Sequence, residues 1–228
     1  MQIQLPEKVQ YIIQALEEAG FEAYAVGGCV RDSLLGRVPD DWDITTSAKP
    51  EEVKAIFHRT IDTGIQHGTV TVLVDREILD DGRGSPASHT DYAFEVTTYR
   101  VDGVYTDHRR PESVCFTASL EEDLKRRDFT INAMAYNPEQ GVIDIFGGQE
   151  DLEKGIIRCV GEASERFDED ALRILRAVRF AAQLDFVIEN QTREAMRDQA
   201  KFLKDISAER ICTELTKMIV SKHPERLE

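Results

Sequence analysis

The sequence predicts an α+β protein: a mixed or antiparallel sheet with helices, followed by an all-helical remainder. Three observations predict it. The runs GTVTVLVD (68–75) and YAFEVTTYR (92–100) are β-branched and alternate in polarity, the period of a half-buried strand. Residues 6–19 instead carry Val9, Ile12, Ile13 and Leu16 at helical spacing. From residue 165 onward, successive segments keep a helical period with no strand pattern between them.

Each element follows from local signals. Gly20 ends the first helix. EAYAVGG is a short strand running into a Gly-Gly turn, followed by a short helix at about residues 29–35 and then by the strand DWDITT. Pro50, with Glu51 and Glu52 in the first turn and Ser47 ahead of them, starts a helix reaching to about Phe57. DDGRGSPASHTD, between the two long strands, is a polar hairpin tip, and residues 101–116 show no clear period. Ser119 and Glu122 have the spacing of a capping box. Ile143 and Ile145 make a short strand broken at Gly147-Gly148, with Asp144 and Asp151 able to cap the turn that follows. Residues 165–184 read as one helix with Asp168 at its N-cap, and residues 189–202 and 207–220 as two more.

Length and composition set the limits. A chain of 228 residues with 41% hydrophobic content supports one large domain or two small ones. No apolar run approaches the roughly 18–20 residues of a membrane span, and the N-terminus lacks a signal peptide's apolar region, so a cytoplasmic protein without membrane contact is expected. Cys29, Cys115, Cys159 and Cys212 are scattered with no Cys-x-x-Cys pair, which suits buried thiols in a reducing cytosol, and the histidines do not join them in a zinc pattern. A net charge of −15 argues against a uniformly basic nucleic-acid surface. Basic residues nevertheless bunch at Arg109-Arg110, at Lys125-Arg126-Arg127, and along Arg173, Arg176 and Arg179, compatible with a basic cleft in an acidic shell.

The chemistry concentrates in AVGGCVRDSLLGRVPDDWDITT (25–46). On a strand, Asp41 and Asp43 share one face, about 7 Å apart, while Trp42 and Ile44 face a core. Paired carboxylates suit a hard divalent cation such as Mg²⁺, which also keeps substrate phosphates and water. Gly27-Gly28 lets the backbone approach a ligand closely. The helix start offers N–H groups to an anion, and Arg31 supplies a guanidinium fork. Together these features point to a metal-dependent nucleotide site. In the second long strand Ala93, Glu95 and Thr97 share a face, so Glu95 is either a third carboxylate at the cleft or an exposed strand glutamate. His67 reads as a structural hydrogen bonder.

The stretch GGCVRDSLLGRVPDDWDITTSA resembles motif A of the class II tRNA nucleotidyltransferases and bacterial poly(A) polymerases, within the DNA polymerase beta superfamily. SLEEDLKRRDFTINAMAYN (119–137), VIDIFGGQEDLEKGIIRCVG (142–161) and ERFDEDALRILRAVRFAAQL (165–184) match in family order, and ISAERICTELTKMI resembles the family's neck-helix motif. The resemblance implies a nucleotidyltransferase head over residues 1–148 and a helical neck over 149–228, with the body and tail lobes absent. It implies that Asp41 and Asp43 hold Mg²⁺, with Glu95 a candidate third ligand. Gly28, Arg31, Arg127 and Asn132 then hold the nucleotide; Asp128, standing between an arginine and apolar residues, reads as the residue that orients Arg127. Asp170 and Arg173, side by side on the last matching helix, read the base of CTP or ATP, and Arg176 and Arg179 join the nucleotide-binding set. Arg109 and Arg110 fall in a loop near the active site that takes part in switching between nucleotides; they are substrate contacts or solvated loop residues. The implied reaction adds C, C and A to the 3′ end of tRNA and releases pyrophosphate. Poly(A) polymerases share every motif, and CC-only or A-only enzymes remain alternatives, as does a nucleotide- or RNA-binding module without turnover.

Overall fold

A computed structural model describes residues 2–74, 92–103 and 113–224. In chain order the elements are α1 (Glu7–Glu18), β1 (Ala23–Val26), α2 (Gly28–Leu34), β2 (Asp43–Thr46), α3 (Pro50–Ile56), β3 (Thr60–Gly64), β4 (Thr69–Val74), β5 (Tyr92–Thr98), β6 (Arg100–Asp102) and β7 (Val114–Phe116). They continue as α4 (Leu120–Lys125), β8 (Met134–Asn137), β9 (Gly141–Asp144), α5 (Gly148–Lys154), β10 (Ile156–Ile157), α6 (Ala163–Glu169), α7 (Leu172–Leu184), β11 (Val187–Ile188), α8 (Asn190–Gln199) and α9 (Ala208–Ile219). The predicted hairpin tip and the pair Arg109-Arg110 lie outside the described residues.

Two compact units result. The first takes in Met1–Val101, Phe116–Asp123 and Ala135–Ile143; the second takes in Asp102–Cys115, Leu124–Met134 and Asp144–Glu228. The first is built on a seven-stranded sheet in the order β3-β4-β5-β2-β1-β8-β9. Its pairings are mixed: β1 runs antiparallel to β2 and to β8, and β4 antiparallel to β3 and β5, whereas β2 and β5 run parallel. All four residues of β1 are buried, as befits a central strand, and α1 lays Val9, Ile12, Ile13 and Leu16 into the core. Burying each such side chain is worth about 1.5–3 kcal/mol before chain entropy is counted. Val70, Val72 and Val74 of β4 are buried while Thr69 and Leu73 are half-buried; Thr71 is buried as well, so the alternation expected from the sequence is incomplete. The edge strand β3, TIDTG, is mostly exposed and carries too few apolar residues to announce itself.

The second unit is helical but not purely so. Ile156-Ile157 and Val187-Ile188 pair as a two-residue parallel ribbon, too short to leave a periodic signal. The predicted single helix over 165–184 is two helices. The break falls at Asp170, whose backbone is extended (φ −143°, ψ 102°), and Asp170 Oδ1 accepts the Leu172 N–H at 3.1 Å. Asp170 therefore caps the start of α7, while Asp168 lies inside α6. Downstream, a 3-10 segment (Ala200–Asp205) follows α8, so the helix expected to reach residue 202 ends earlier. Phe129 meets Phe180 edge-on at 5.8 Å, and Ala171, Leu172 and Ile206 form a core patch joined by Leu175, Phe202 and Ile211.

Residues 144–148 show why two glycines stand there. Gly147 adopts φ 76°, a left-handed conformation that suits glycine. A Cβ at Gly148 would lie 2.4 Å from the Thr130 carbonyl oxygen and 2.9 Å from Met134, so the start of α5 packs where no side chain fits. Asp144 caps that helix, accepting from Gly148 N at 2.7 Å and Gln149 N at 2.9 Å. Asp151, also expected to cap, instead sits inside α5. It accepts from Thr130 Oγ1 at 2.7 Å and is ion-paired with Arg158.

Candidate active site

In the first unit, antiparallel pairing aligns Val26 with Asp43. The Gly27-Gly28 turn that follows Val26 therefore lies at the same end of the sheet as the acidic segment. Gly27 (φ 83°, ψ −128°) holds a positive-φ backbone that favours glycine; Gly28 opens α2 and is half-exposed, with only the Arg31 side chain within 4 Å of where a Cβ would be. Beneath them, the Cys29 thiol reaches the Val26 carbonyl at 3.4 Å. Burial, reinforced by the Asp43 charge, pushes that thiol up to about 11, so it stays protonated and inert. Cys159 is buried too, whereas Cys115 and Cys212 are exposed, so the expectation of buried thiols holds at two of the four positions. Arg31 is buried and forks onto its neighbour Asp32, with Nε–Oδ1 at 3.0 Å and Nη2–Oδ2 at 2.8 Å.

Asp43 opens β2 and is exposed; Asp41, also exposed, precedes the strand. Ile44 is the buried anchor at 1% exposure, whereas Trp42 is half-buried and not a core residue. The parallel register pairs Ile44 with Val96 and Thr45 with Thr97. Continued by one residue, it sets Asp43 alongside Glu95, which is exposed and paired on its other side with Thr71. Among the described residues no three His, Cys, Asp or Glu side chains converge on a metal position. Mg²⁺ typically takes one or two protein carboxylates and completes its shell with substrate phosphates and water. Exposed hard-oxygen donors on one rim fit that requirement. His67 contributes its backbone carbonyl, which accepts from Arg100 Nη1.

In the second unit, α7 carries the expected arginines, and each meets a carboxylate brought from elsewhere. Arg173 is buried, ion-paired with Glu169, and donates to the carbonyls of Arg166 (3.1 Å) and Arg126 (3.0 Å). Arg176 donates through Nε to Asp128 Oδ2 at 2.7 Å. Arg179 is paired with Glu214 of α9 and with Gln183, both inside the unit's packing. Asp170 does not pair with Arg173: it takes a two-pronged contact from Arg210, with Nη2–Oδ2 at 2.7 Å and Nη1–Oδ1 at 3.3 Å. The i,i+3 pairing expected on a continuous helix is lost because the chain turns at Asp170.

Asp128, expected to orient Arg127, is instead bound by Arg176, by Asn132 Nδ2 at 3.2 Å and by its neighbour Phe129 N at 2.8 Å. Burial alone would push its carboxyl up. The charges of Arg176 and Arg173, with hydrogen bonds from Arg176 and Asn132, more than offset that and leave it at about 2. For Glu169 the balance tips the other way: burial raises its carboxyl despite Arg173 and Arg166 beside it. Arg127 is half-buried and Asn132 buried, four residues beyond Asp128. A polar cavity of about 550 Å³, lined by Thr130, Arg158, Glu162, Ser164, Glu189 and Gln199 among others, contains none of the residues expected to bind nucleotide.

Sequence reasoning missed four residues that organise these clusters: Thr45, Asp123, Arg210 and Glu214. Their partners lie 35 to 78 residues away, beyond the reach of any local pattern.

Comparison with known proteins falls on both parts of the chain. Residues 23–158 match the family described as poly A polymerase head domain, and residues 185–227 match a probable RNA and SrmB-binding site of polymerase A. A CCA-adding enzyme of Leuconostoc mesenteroides is 53% identical over 220 residues, spanning 95% of this chain and 51% of the relative. One from Lactiplantibacillus plantarum is 53% identical over 224 residues, spanning 97% and 51%. The crystal structure of the Bacillus stearothermophilus CCA-adding enzyme in complex with CTP superposes with a TM-score of 0.84 at 45% identity, covering 98% of this chain and 51% of that one. The chain spans about half the length of the curated relatives it matches. Among the described residues no helix is long and apolar enough to cross a membrane.

Proposed function

We propose, on the premise that the chain belongs to the poly A polymerase head-domain family, that it carries the nucleotidyl-transfer and nucleotide-selecting parts of a CCA-adding enzyme. The reaction joins CMP, CMP and AMP, from CTP and ATP, to the 3′ end of tRNA and releases pyrophosphate. The observation that carries this reading is the Asp43 rim: exposed carboxylates in register with the glycine turn, within a chain 53% identical to a CCA-adding enzyme.

Each residue then has a task. Asp41 and Asp43 hold the divalent ion, which we take to be Mg²⁺; enzymes of this family generally use divalent metals. Glu95, one strand over, is the third candidate ligand. Bound there, the metal supplies charge stabilisation at the transferring phosphoryl group and lowers the pKa of the attacking hydroxyl. Gly28 allows close backbone approach, and Arg31 and Arg127 hold phosphate oxygens. Asn132, fixed by Asp128, contacts the nucleotide. Asp170 and Arg173 present acceptors and donors to the base edge, held in place by Arg210 and Glu169; Arg176 and Arg179 support that surface through Asp128 and Glu214. Residues 1–148 are the catalytic head in this reading, residues 149–228 the base-reading neck, and the setting is the cytoplasm.

The test is incorporation of labelled CTP and ATP into a tRNA lacking its CCA end, with 3′ ends sequenced when nucleotides are supplied singly and together. Two C additions followed by one A support the reading. Long A tails from ATP alone would instead assign a poly(A) polymerase, and CTP binding without incorporation a binding module.

A further inference from the structure

Two residues beyond Asp43, on the same face of β2, a buried polar cluster underlies the rim. Thr45 is fully buried, and its Oγ1 lies 3.1 Å from Asp123 Oδ2 and 3.3 Å from the carbonyl of Thr97, its register partner on β5. Asp123 comes from α4 and is itself 0% exposed; its Oδ1 accepts from the backbone N–H of Arg100, just past β5, at 3.4 Å. Thr97 in turn shares a hydroxyl contact with Thr69 at 3.1 Å, which ties in β4. One carboxylate thus joins β2 to the far end of β5, one face-repeat below the row where Asp43 stands beside Glu95.

Burying a carboxylate is costly unless its lone pairs are used, and an apolar side chain at that spot would avoid the cost. What the carboxylate offers, and a methyl group does not, is a directional hold on a specific hydroxyl and a specific amide. Mg²⁺ demands near-ideal octahedral geometry at short distances, so a small slide of β2 along β5 would spoil the approach of its ligands. Groups that orient metal ligands without touching the metal typically change affinity 10–100-fold when lost.

We propose that Asp123, acting through Thr45, is a positioning residue for the acidic rim: it fixes β2 against β5 so that Asp43 meets the divalent cation in register with its neighbours. The inference rests on the metal-binding reading of Asp41 and Asp43 given above. It makes Thr45 and Asp123 determinants of metal affinity although neither is a ligand.

The experiment titrates Mn²⁺ against the protein without nucleotide, counting free ion by electron paramagnetic resonance, for wild type, Thr45→Val, Thr45→Ser and Asp123→Asn, with Asp43→Ala as reference. A thermal melt of each variant runs alongside. Thr45→Val and Asp123→Asn are expected to weaken Mn²⁺ binding about tenfold, and Thr45→Ser, which restores the hydroxyl, to return it to within about twofold of wild type. If Asp123→Asn does not fold, the Val/Ser pair at Thr45 carries the test. Binding by Thr45→Val within about twofold of wild type, while Asp43→Ala loses it, would overturn the positioning role and leave the metal site standing. Unaltered Mn²⁺ binding by Asp43→Ala would overturn the site reading itself, and the positioning role with it.

Discussion

The acidic rim of the first unit and the arginine face of the second use charge in opposite ways. Asp41, Asp43 and Glu95 stand exposed to solvent. Arg173 and Arg179 are buried, and they and Arg176 are each matched by a carboxylate: Glu169, Glu214 and Asp128. A guanidinium removed from water needs its donors used, so these arginines arrive already oriented. The contrast teaches that one chain builds two kinds of polar site. One keeps its carboxylates exposed; the other closes a network so that its surface keeps its shape.

The sharpest break of this contrast is at the rim. Asp43→Ala is expected to reduce CMP incorporation on the order of 10³-fold, several kcal/mol of lost charge stabilisation, while a urea melt stays near wild type. A loss that tracked unfolding would mean that the rim is structural after all. The converse holds on the arginine face. Glu214→Ala removes the partner of a buried guanidinium and is expected to lower stability by about 3–5 kcal/mol, read from the shift of the urea midpoint. A change no larger than that of an exposed substitution would deny the closed network.

Gly148→Ala sharpens the comparison within the second unit. With the Thr130 carbonyl 2.4 Å from the added Cβ, α5 must shift, at a cost of about 1–3 kcal/mol, and a thermal melt reports it. Acid titration gives the finest test. The folded pKa of Asp128, about 2, lies below its ordinary 3.8, so it contributes stability that is fully present above pH 4 and is lost as pH falls from 3.8 towards 2. Asp128→Asn should remove that part of the acid dependence, about 1 kcal/mol between pH 5 and pH 3, measured by urea melts at those two values. An identical pH profile in both proteins would contradict the shift.

Much of this was legible from letters alone, and the limits are physical. β4, β5 and α1 declared themselves because each buries one face against a single layer, which imposes a period on the sequence. The Gly-Gly turn and the acids after it were legible because their chemistry is local. The break at Asp170 was not: LRILRAVRF continues a helical period, and the carboxylate that caps α7 is gripped by Arg210, 40 residues on. Adjacency points Asp128 towards Arg127, whereas the guanidinium it accepts from, Arg176, is 48 residues distant. Thr45 and Asp123, 78 residues apart, left no pattern at all.

The parallel run of β2 beside β5, in a sheet whose other described pairings are antiparallel, has an evolutionary corollary. Parallel neighbours cannot be joined by a tight hairpin, so a long excursion between Thr46 and Tyr92 is obligatory. That excursion supplies β3 and β4 of the same sheet, and β4 pairs with β5 across from Glu95, so only the links between these elements can gain or lose residues without re-aiming either carboxylate. Lineages can therefore remodel those links while the sheet keeps Asp43 and Glu95 on neighbouring strands.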